Sequence, residues 1–280
     1  MNDDHLAEVT RRLRARADGI LAAAWFMPEA SAGYPGIDLA PGAASIASRA
    51  ACLGAIRGDA AAALLAPINP AGIVGALDAA WEVTTPSALL DARLDAATGH
   101  LADVLGPAPD GIDRAIELLV PVALAGPPEG HPVYSGLRSL GFPGSPLGDV
   151  WRACDLVRER RGDSHRNAWV AAGFDPVEIN VLTELWRAVP VGSVTTNQMG
   201  WSADDCDGAL ARLTEAGLVA GGDLTGEGRA ARDEIESATD RQEEALAEVL
   251  GSDAEELFGL LGPWAREVVT SGPKFWEPKA

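Results

Sequence analysis

Apolar residues recur at helical spacing along the first 150 residues, and strand-like alternation is not sustained anywhere in that stretch. The first predicted helix carries Leu6, Val9 and Leu13 on one side and four arginines on the other. Thr85-Pro86 begins another long helix, because threonine is a good N-cap and proline is favoured at the first helical position. These patterns predict an all-helical domain over residues 1–150.

The pattern changes after residue 175. Asp175-Pro176 caps a helix, residues 189–194 are short and β-prone, a short helical piece runs to Met199, and Ser202 caps a further helix. A hairpin tip at 221–223 follows, and then a long acidic helix. Helix, small strand, helix, helix and hairpin is the order of a winged helix. We therefore predict a mainly α protein, in which a helical N-terminal domain is followed by a winged-helix domain with a small β-hairpin wing. The predicted parts are an N-terminal domain (1–150), joint helices (151–174), a winged-helix domain (175–236) and C-terminal helices with a tail (237–280).

Charge and hydropathy limit the partners of the chain. The formal net charge is −19, so the average surface repels nucleic acid and anionic lipid. No apolar run reaches the roughly 18 residues that a membrane span requires, and the N-terminal residues lack the apolar centre of a signal peptide. The sequence predicts a cytoplasmic protein with no membrane partner.

The three cysteines, Cys52, Cys154 and Cys206, lie far apart and have no Cys-x-x-Cys or His-x-x-x-His spacing beside them. This pattern predicts buried, reduced thiols and supports neither a disulfide framework nor a zinc site. No metal ion or cofactor is predicted.

Residues 151–169, called here the cationic segment, form an exception to the acidic average. They contain five of the 22 basic residues and only three acids, and a tryptophan closes each end. Gly162 is predicted to end one helix in a left-handed conformation, and Asp163 to cap the next helix.

Two interpretations of the cationic segment remain open. Its arginines can form a lattice of salt bridges between the two halves of the chain. Alternatively, they can line a pocket for an anionic or aromatic organic ligand, because guanidinium groups suit carboxylates and indole faces suit flat rings. In the N-terminal half, Trp25 and Tyr34 lie at a helix-to-loop junction, from which they can help to enclose the same cavity. The candidate ligand-binding residues are Trp25, Tyr34, Trp151, Arg152, Arg158, Arg161, His165 and Trp169.

His165 follows the predicted cap Asp163 by two residues, in the first turn of a helix, where the helix dipole disfavours the imidazolium form. A neutral histidine there can be structural, or it can serve as a general base beside Asp163 or Asp155 if the protein is an enzyme. His100 and His131 adjoin turns and are predicted to be surface residues.

The stretch Leu210-Ala-Arg-Leu-Thr-Glu-Ala-Gly-Leu-Val219, with Leu224-Thr-Gly-Glu-Gly228 after it, resembles the second half of a MarR-type regulator domain. The resemblance implies the end of a recognition helix, a wing and a long C-terminal helix, and it makes a homodimer plausible through the C-terminal helices. Over nearly its whole length, most clearly at Arg158-Glu-Arg-Arg-Gly-Asp-Ser-His-Arg-Asn-Ala-Trp169, the chain resembles an actinobacterial family of two-part helical proteins, most of which have no established activity.

The sequence departs from a DNA reader at the start of the recognition helix. These turns read Ser202-Ala-Asp-Asp-Cys-Asp207, where a major-groove helix needs basic or amide side chains. Residues 201–236 carry nine acids and three arginines, a net charge of −6. The sequence thus favours a small-molecule-binding protein on a MarR-like scaffold, with weak or absent DNA binding. Two alternatives are a MarR-like DNA-binding regulator that uses arginines outside this helix, and an enzyme that uses His165.

Overall fold

Helices fill most of residues 3–27 and 32–272, which are the residues that the computed structural model describes. In these ranges no helix is both long enough and apolar enough to cross a membrane. The helices are α1 (Asp3–Leu21), α2 (Ala23–Phe26), α3 (Pro41–Ala50), α4 (Gly58–Leu64), α5 (Pro70–Val83), α6 (Pro86–Leu105), α7 (Ile112–Leu124), α8 (Pro132–Ser139), α9 (Pro146–Ala171), α10 (Pro176–Trp186), α11 (Ala203–Glu215), α12 (Gly226–Leu250) and α13 (Ala254–Ser271). Short 3₁₀ turns follow α3 and α12. The strands β1 (Val219–Ala220) and β2 (Asp223–Leu224) form the hairpin.

Local sequence signals set the starts of several helices. The Thr85 hydroxyl accepts a 3.3 Å hydrogen bond from the backbone of Ala88 at the start of α6. Asp175 begins α10 and Ser202 begins α11, each in a reciprocal capping box with the residue three positions later. The three predicted caps are confirmed, because each depends only on residues close together in the sequence.

Two hydrophobic clusters hold the helices together. The larger joins α1 to α8 and the first half of α9 with the end of α12 and with α13. The smaller contains Trp169 from the end of α9, together with α10, α11, the hairpin and Ile235 of α12. Helices α9 and α12 thus contribute to both clusters, and they lie against each other between them.

The mainly α fold with a hairpin wing is confirmed. Val219 pairs with Leu224 and Ala220 with Asp223 in an antiparallel ladder, and Gly221 and Gly222 between them both have positive φ. That conformation suits a tight hairpin turn, whose backbone twist matches the strands. The short strand expected at 189–194 is wrong, because residues 191–199 form consecutive turns.

The predicted break at Gly162 is also wrong. Helix α9 runs unbroken from Pro146 to Ala171, and both Gly162 and Asp163 lie inside it. Five helices pack around α9, namely α1, α6, α7, α8 and α12. A glycine inside a helix costs only about 1 kcal/mol relative to alanine, which packing of this extent outweighs.

The C-terminal helix packs against the first helix of the same chain. At Gly19 of α1 the backbone approaches α13 so closely that a Cβ would lie 2.6 Å from the Cβ of Ala265. The predicted homodimer was expected to form through the C-terminal helices. Leu257 and Leu261 of α13, however, are fully buried within the chain. A homodimer stays a prediction, and it would need another surface.

Candidate functional site

The cationic segment forms the middle of α9, and its surroundings make it the most buried charged part of the chain. Arg152, Arg160 and Arg161 are all buried, as are Asp155 and Glu159. Because an unpaired buried charge is costly, each of these side chains must find a partner on a neighbouring helix. The partners divide into a cluster facing α3 and α6 and a cluster facing α12.

Glu159 is the centre of the cluster that faces α3. Arg49 of α3 donates two hydrogen bonds of 2.7 Å to its carboxylate, and Arg158 donates one of 3.1 Å. Arg158 also lies 3.6 Å from Asp18 of α1. Burial raises the pKa of Glu159, but the charges of Arg49 and Arg158 outweigh burial and hold the pKa at about 2. Glu159 is therefore ionised at neutral pH.

Trp151 and Arg152 lie about two turns before Glu159 on α9. Trp151 is 2% exposed, and the guanidinium of Arg93 from α6 lies 5.9 Å from its ring centre. Arg93 also reaches Asp155, at 3.5 Å. Arg152 donates one long hydrogen bond, of 3.4 Å, to the carbonyl of Leu137. Between these groups remains a cavity of about 10 Å³, which has room for about one water molecule and not for an organic ligand.

The second cluster joins α9 to α12. Arg161 donates hydrogen bonds to Asp240 at 2.7 Å and to Glu236 at 2.9 Å. Arg11 of α1 lies 2.5 Å from Asp240, and Arg232 lies 2.7 Å from Glu236. Burial raises the pKa of Glu236, but the neighbouring Arg232 and Arg161 outweigh burial and lower it to about 2. This cluster connects three helices and supports the lattice interpretation of the cationic segment.

His165 belongs to the second cluster and lies in the last two turns of α9, so the first-turn position expected for it is wrong. Its Nδ1 lies 3.3 Å from the hydroxyl of Thr239, which donates its own hydrogen to the carbonyl of Ile235. Nδ1 therefore carries the hydrogen that joins His165 to Thr239. Burial, assisted by the charge of Arg232, lowers the pKa of His165 to about 4. The imidazole is neutral at pH 7 because of these neighbours and not because of a helix dipole.

Asp163 caps a helix, but not the one expected. One carboxylate oxygen accepts hydrogen bonds of 3.0 Å from the backbone N–H groups of Val133 and Tyr134, at the start of α8. The other oxygen accepts a short hydrogen bond from Arg166. In the alternative of an enzyme, Asp163 would be the partner of His165, but its described hydrogen bonds go to α8 and Arg166.

Three polar residues that were not among the predicted site residues, Ser164, His131 and Glu243, meet beside Asp163. Ser164 Oγ lies 2.8 Å from His131 Nε2 and 2.5 Å from Glu243 Oε1. His131 is buried, so its predicted surface position is wrong. His131 Nδ1 lies 2.7 Å from the carbonyl of Glu129, which can only accept, so Nδ1 carries a hydrogen. No local signal marks this group, because its members lie 33 and 79 residues apart.

The hydrogen bonds of this group leave one proton to be placed. If His131 is neutral, its Nε2 accepts from Ser164, and Ser164 in turn accepts from a protonated Glu243. Burial raises the pKa of Glu243 and lowers the pKa of His131, and both directions favour this uncharged arrangement. The buried guanidinium of Arg160, 3.5 Å from Glu243, acts in the opposite direction and favours the carboxylate. Ser164 stands between the histidine and the carboxyl group, whereas a serine nucleophile needs the histidine in the middle.

The structure brings together only part of the predicted ligand site. Trp151 and Arg152 line the small cavity, and Tyr34 lies next to it, because its hydroxyl is 3.3 Å from the hydroxyl of the lining residue Ser48. Arg161, His165 and Trp169 lie elsewhere, in the second charged cluster and the smaller hydrophobic cluster. The side chain of Trp25 lies outside the part of the chain that the structure describes.

A larger open space lies along α6, a helix in which no site residue was predicted. This α6 groove has a volume of about 670 Å³ and runs between α6 and the loop at 35–37. Its floor consists of small residues at helical spacing, Ala88, Ala92, Ala96 and Gly99. Its polar lining residues are Asp95, His100 and Asp103.

The winged-helix part presents an acidic surface at α11. Asp204, Asp205 and Asp207 are exposed in its first turns. Arg212 of the same helix donates hydrogen bonds of 2.5 Å to Asp175 and 2.7 Å to Glu178 of α10, so its charge is already neutralised. Arg187 and Arg229 are exposed elsewhere on this part of the chain.

Comparison with protein families gives one result that spans nearly the whole chain. A family model described as a helix-turn-helix family matches residues 10–274. Comparisons with curated proteins and with solved structures give no match. In the described residues, no group of three or more histidine, cysteine, aspartate or glutamate side chains is placed to hold a metal ion.

Proposed function

We propose that this chain, which belongs to the helix-turn-helix family, binds a small organic molecule in the α6 groove and does not read DNA with α11. The observation that carries the proposal is the groove itself. A volume of about 670 Å³ lies within the range of about 300–1,000 Å³ that is usual for ligand pockets. The MarR-like scaffold then serves to sense or sequester a metabolite or drug.

The lining of the α6 groove favours a different ligand charge from the one that the cationic segment suggested. Asp95 and Asp103 supply two carboxylates, and the small side chains between them leave a flat apolar floor. A carboxylate binds an amine or a guanidinium by charge-assisted hydrogen bonds, and a flat floor suits an aromatic or aliphatic body. We infer a cationic ligand with an apolar body. The small cavity beside the cationic segment leaves too little space for the anionic or aromatic organic ligand predicted there.

A thermal-shift screen tests the groove. Amines with aromatic or aliphatic bodies should raise the melting temperature in a dose-dependent way, and carboxylates of matched size should not. Asp95→Asn combined with Asp103→Asn should abolish the shift. Asp91→Asn is the control, because Asp91 lies on the same helix but does not line the groove and its described partner is Ser87.

A second variant fills the α6 groove without changing the charge of its lining. Gly99 faces open space, so Gly99→Leu should fill the groove without strain and block the ligand. Gly75→Leu on α5, which also meets open space, is the matched control. If no amine shifts the melting temperature, or if the shift persists in Gly99→Leu, the groove is not the ligand site.

Membership of a helix-turn-helix family favours a second candidate, a DNA-binding regulator. Three exposed aspartates at the start of α11 would face the phosphates, so such a regulator would have to contact DNA through Arg187 and Arg229. Fluorescence anisotropy with duplex DNA at low salt distinguishes the candidates. We expect no salt-sensitive binding by the wild type, and weak binding after Asp204, Asp205 and Asp207 are changed to asparagine. Salt-sensitive wild-type binding that Arg187→Ala and Arg229→Ala remove would establish the regulator instead.

A further inference from the structure

The small cavity beside Arg152, which is too small for an organic ligand, has an unusual balance of charge. Its lining includes three guanidinium groups, those of Arg49, Arg93 and Arg152. Only two carboxylates, those of Asp155 and Glu159, line the same space. The lining therefore has a net charge of +1, and the charge of the nearby Arg158 is offset by Asp18, 3.6 Å away.

The hydrogen bonds of these groups are distributed unevenly. Glu159 is well supplied, with two bonds of 2.7 Å from Arg49. Asp155 receives one loose contact of 3.5 Å from Arg93. Arg152 is only 7% exposed, and its bond to the Leu137 carbonyl is long, at 3.4 Å. Its Nε has no hydrogen-bond partner among the described residues. A guanidinium has five N–H donors, and leaving a buried donor unsatisfied is costly.

We propose that this cavity binds one monatomic anion of the halide class, held by the guanidinium groups of Arg152 and Arg93. The volume of about 10 Å³ excludes phosphate, carboxylates and sulfate. A water molecule can accept hydrogen bonds there but leaves the excess positive charge uncompensated, whereas an anion supplies both an acceptor and the missing charge. A cation would add to the excess.

The position of the cavity gives the anion a structural effect. Its charged lining comes from three helices, α3, α6 and α9. An anion held between Arg93 and Arg152 ties α6 to α9 beneath Trp151. Chloride should therefore stabilise the folded chain more than its effect on ionic strength alone accounts for.

The test compares salts at constant ionic strength. The melting temperature of the wild type should rise and saturate as sodium gluconate is replaced by sodium chloride or bromide, because gluconate is too large for the cavity. In Arg152→Gln the halide concentration at half effect should rise at least about tenfold, as expected for the loss of a charge-assisted hydrogen bond. Arg187→Gln, at an exposed arginine of the winged-helix part, should respond as the wild type does.

Equal melting temperatures in chloride and gluconate would show that the cavity holds water only and would overturn the proposal. An equal halide response in the wild type and Arg152→Gln would overturn it too. If Arg152→Gln does not fold, crystals of the wild type grown in bromide decide the question. An anomalous bromine peak within hydrogen-bond distance of Arg152 supports the site, and a peak with the density of water contradicts it.

Discussion

Arg49 and Glu159 form a bidentate ion pair with two hydrogen bonds of 2.7 Å, across 110 residues of sequence. The pair joins α3 to the middle of α9, and the Glu159 side chain is 1% exposed. Glu159 is removed from water and Arg49 is only 22% exposed, so the pair is costly to break from one side, whatever its net contribution when intact.

Glu159→Gln should therefore destabilise the protein strongly. The amide keeps the shape of the side chain but leaves the charge of Arg49 unpaired, and we expect a loss of about 3–5 kcal/mol of unfolding free energy. Urea denaturation measures the loss. Glu256→Gln is the control, because Glu256 forms an equally bidentate pair with Arg114, at 2.9 Å, on the exposed surface. That change should cost far less, because water screens the exposed pair. Equal losses in the two variants would contradict the buried-pair argument.

The same substitution at Glu243 should have a much smaller effect on stability. Burial raises the pKa of Glu243, and a protonated Glu243 completes the hydrogen bonds through Ser164 to His131. A glutamine amide also donates to Ser164, so Glu243→Gln should change the unfolding free energy by less than about 1 kcal/mol if Glu243 is protonated. If Glu243 is instead ionised beside the buried guanidinium of Arg160, 3.5 Å away, the same change should destabilise the protein strongly.

The pH dependence checks the protonation of Glu243. An acid whose pKa is raised on folding contributes stability below its unfolded pKa of about 4.5, and that contribution is lost as pH rises through the folded value. Relative to the wild type, Glu243→Gln should thus become more stable as pH rises above about 4.5. A large loss of stability at every pH would show that Glu243 is ionised in the folded protein.

The sequence predicted best those features whose determinants lie close together in the chain. The caps at Thr85, Asp175 and Ser202 each involve residues no more than three positions apart, and the wing depends on Gly221 and Gly222. The same local rules failed at Gly162, because they take no account of the helices that surround α9.

The charged clusters could be predicted only in part. The composition of the cationic segment showed that it was unusual. The lattice interpretation correctly predicted that its arginines pair with carboxylates. The partners themselves, such as Arg49 for Glu159 and Asp240 for Arg161, come from distant parts of the chain and carry no shared motif. The α6 groove could not be predicted for a related reason. Alanine and glycine at helical spacing form the same sequence pattern whether they pack against another helix or line an open groove.

His165 should make the stability depend on pH in the mildly acidic range. Burial and Arg232 lower its pKa to about 4, below the value of about 6.5 in an unfolded chain. Protonation then favours the unfolded state, so this contribution is complete above pH 6.5 and is lost as pH falls towards 4. The difference in unfolding free energy between the wild type and His165→Gln should shrink by up to about 3 kcal/mol over that range.

Stability measurements between pH 7 and pH 4 test this prediction. His100→Gln is the control, because His100 lines the α6 groove, away from the charged clusters, and the variant should follow the wild type. A difference between the wild type and His165→Gln that does not change with pH would show that His165 does not titrate with a lowered pKa.

Gly126 should resist substitution because of Arg160. A Cβ at position 126 would lie 2.1 Å from the guanidinium carbon of Arg160. That guanidinium cannot move away easily, since it donates hydrogen bonds of 2.7 and 2.8 Å to the carbonyls of Pro127 and Gln242. We expect Gly126→Ala to cost about 1–3 kcal/mol by thermal or urea unfolding. Gly42→Ala on α3 meets nothing within 4 Å and should be neutral or slightly stabilising; equal effects would contradict the clash.

The carboxylate of Glu184 accepts the backbone hydrogen bonds that a partner strand would otherwise accept. This explains why the β-prone residues at 189–194 form turns. The side chain is 1% exposed, and its two oxygens accept hydrogen bonds from the backbone N–H groups of Gly192, Val194 and Thr195. These donors would otherwise need a partner strand, which this part of the described chain does not supply. The turn leads from α10 to α11, so Glu184 sets the position from which the acidic helix begins.

Glu184→Gln should loosen that turn. An amide has one accepting oxygen where the carboxylate has two, and its NH₂ group would face a backbone N–H. We expect a loss of about 2–3 kcal/mol, with faster hydrogen exchange concentrated at the amides of 192–195. Glu248→Gln, at an exposed position of α12, should change the unfolding free energy by no more than about 0.5 kcal/mol. Unchanged exchange at these amides in Glu184→Gln would show that the carboxylate does not hold the turn. The absence of the strand predicted at 189–194 would then need another explanation.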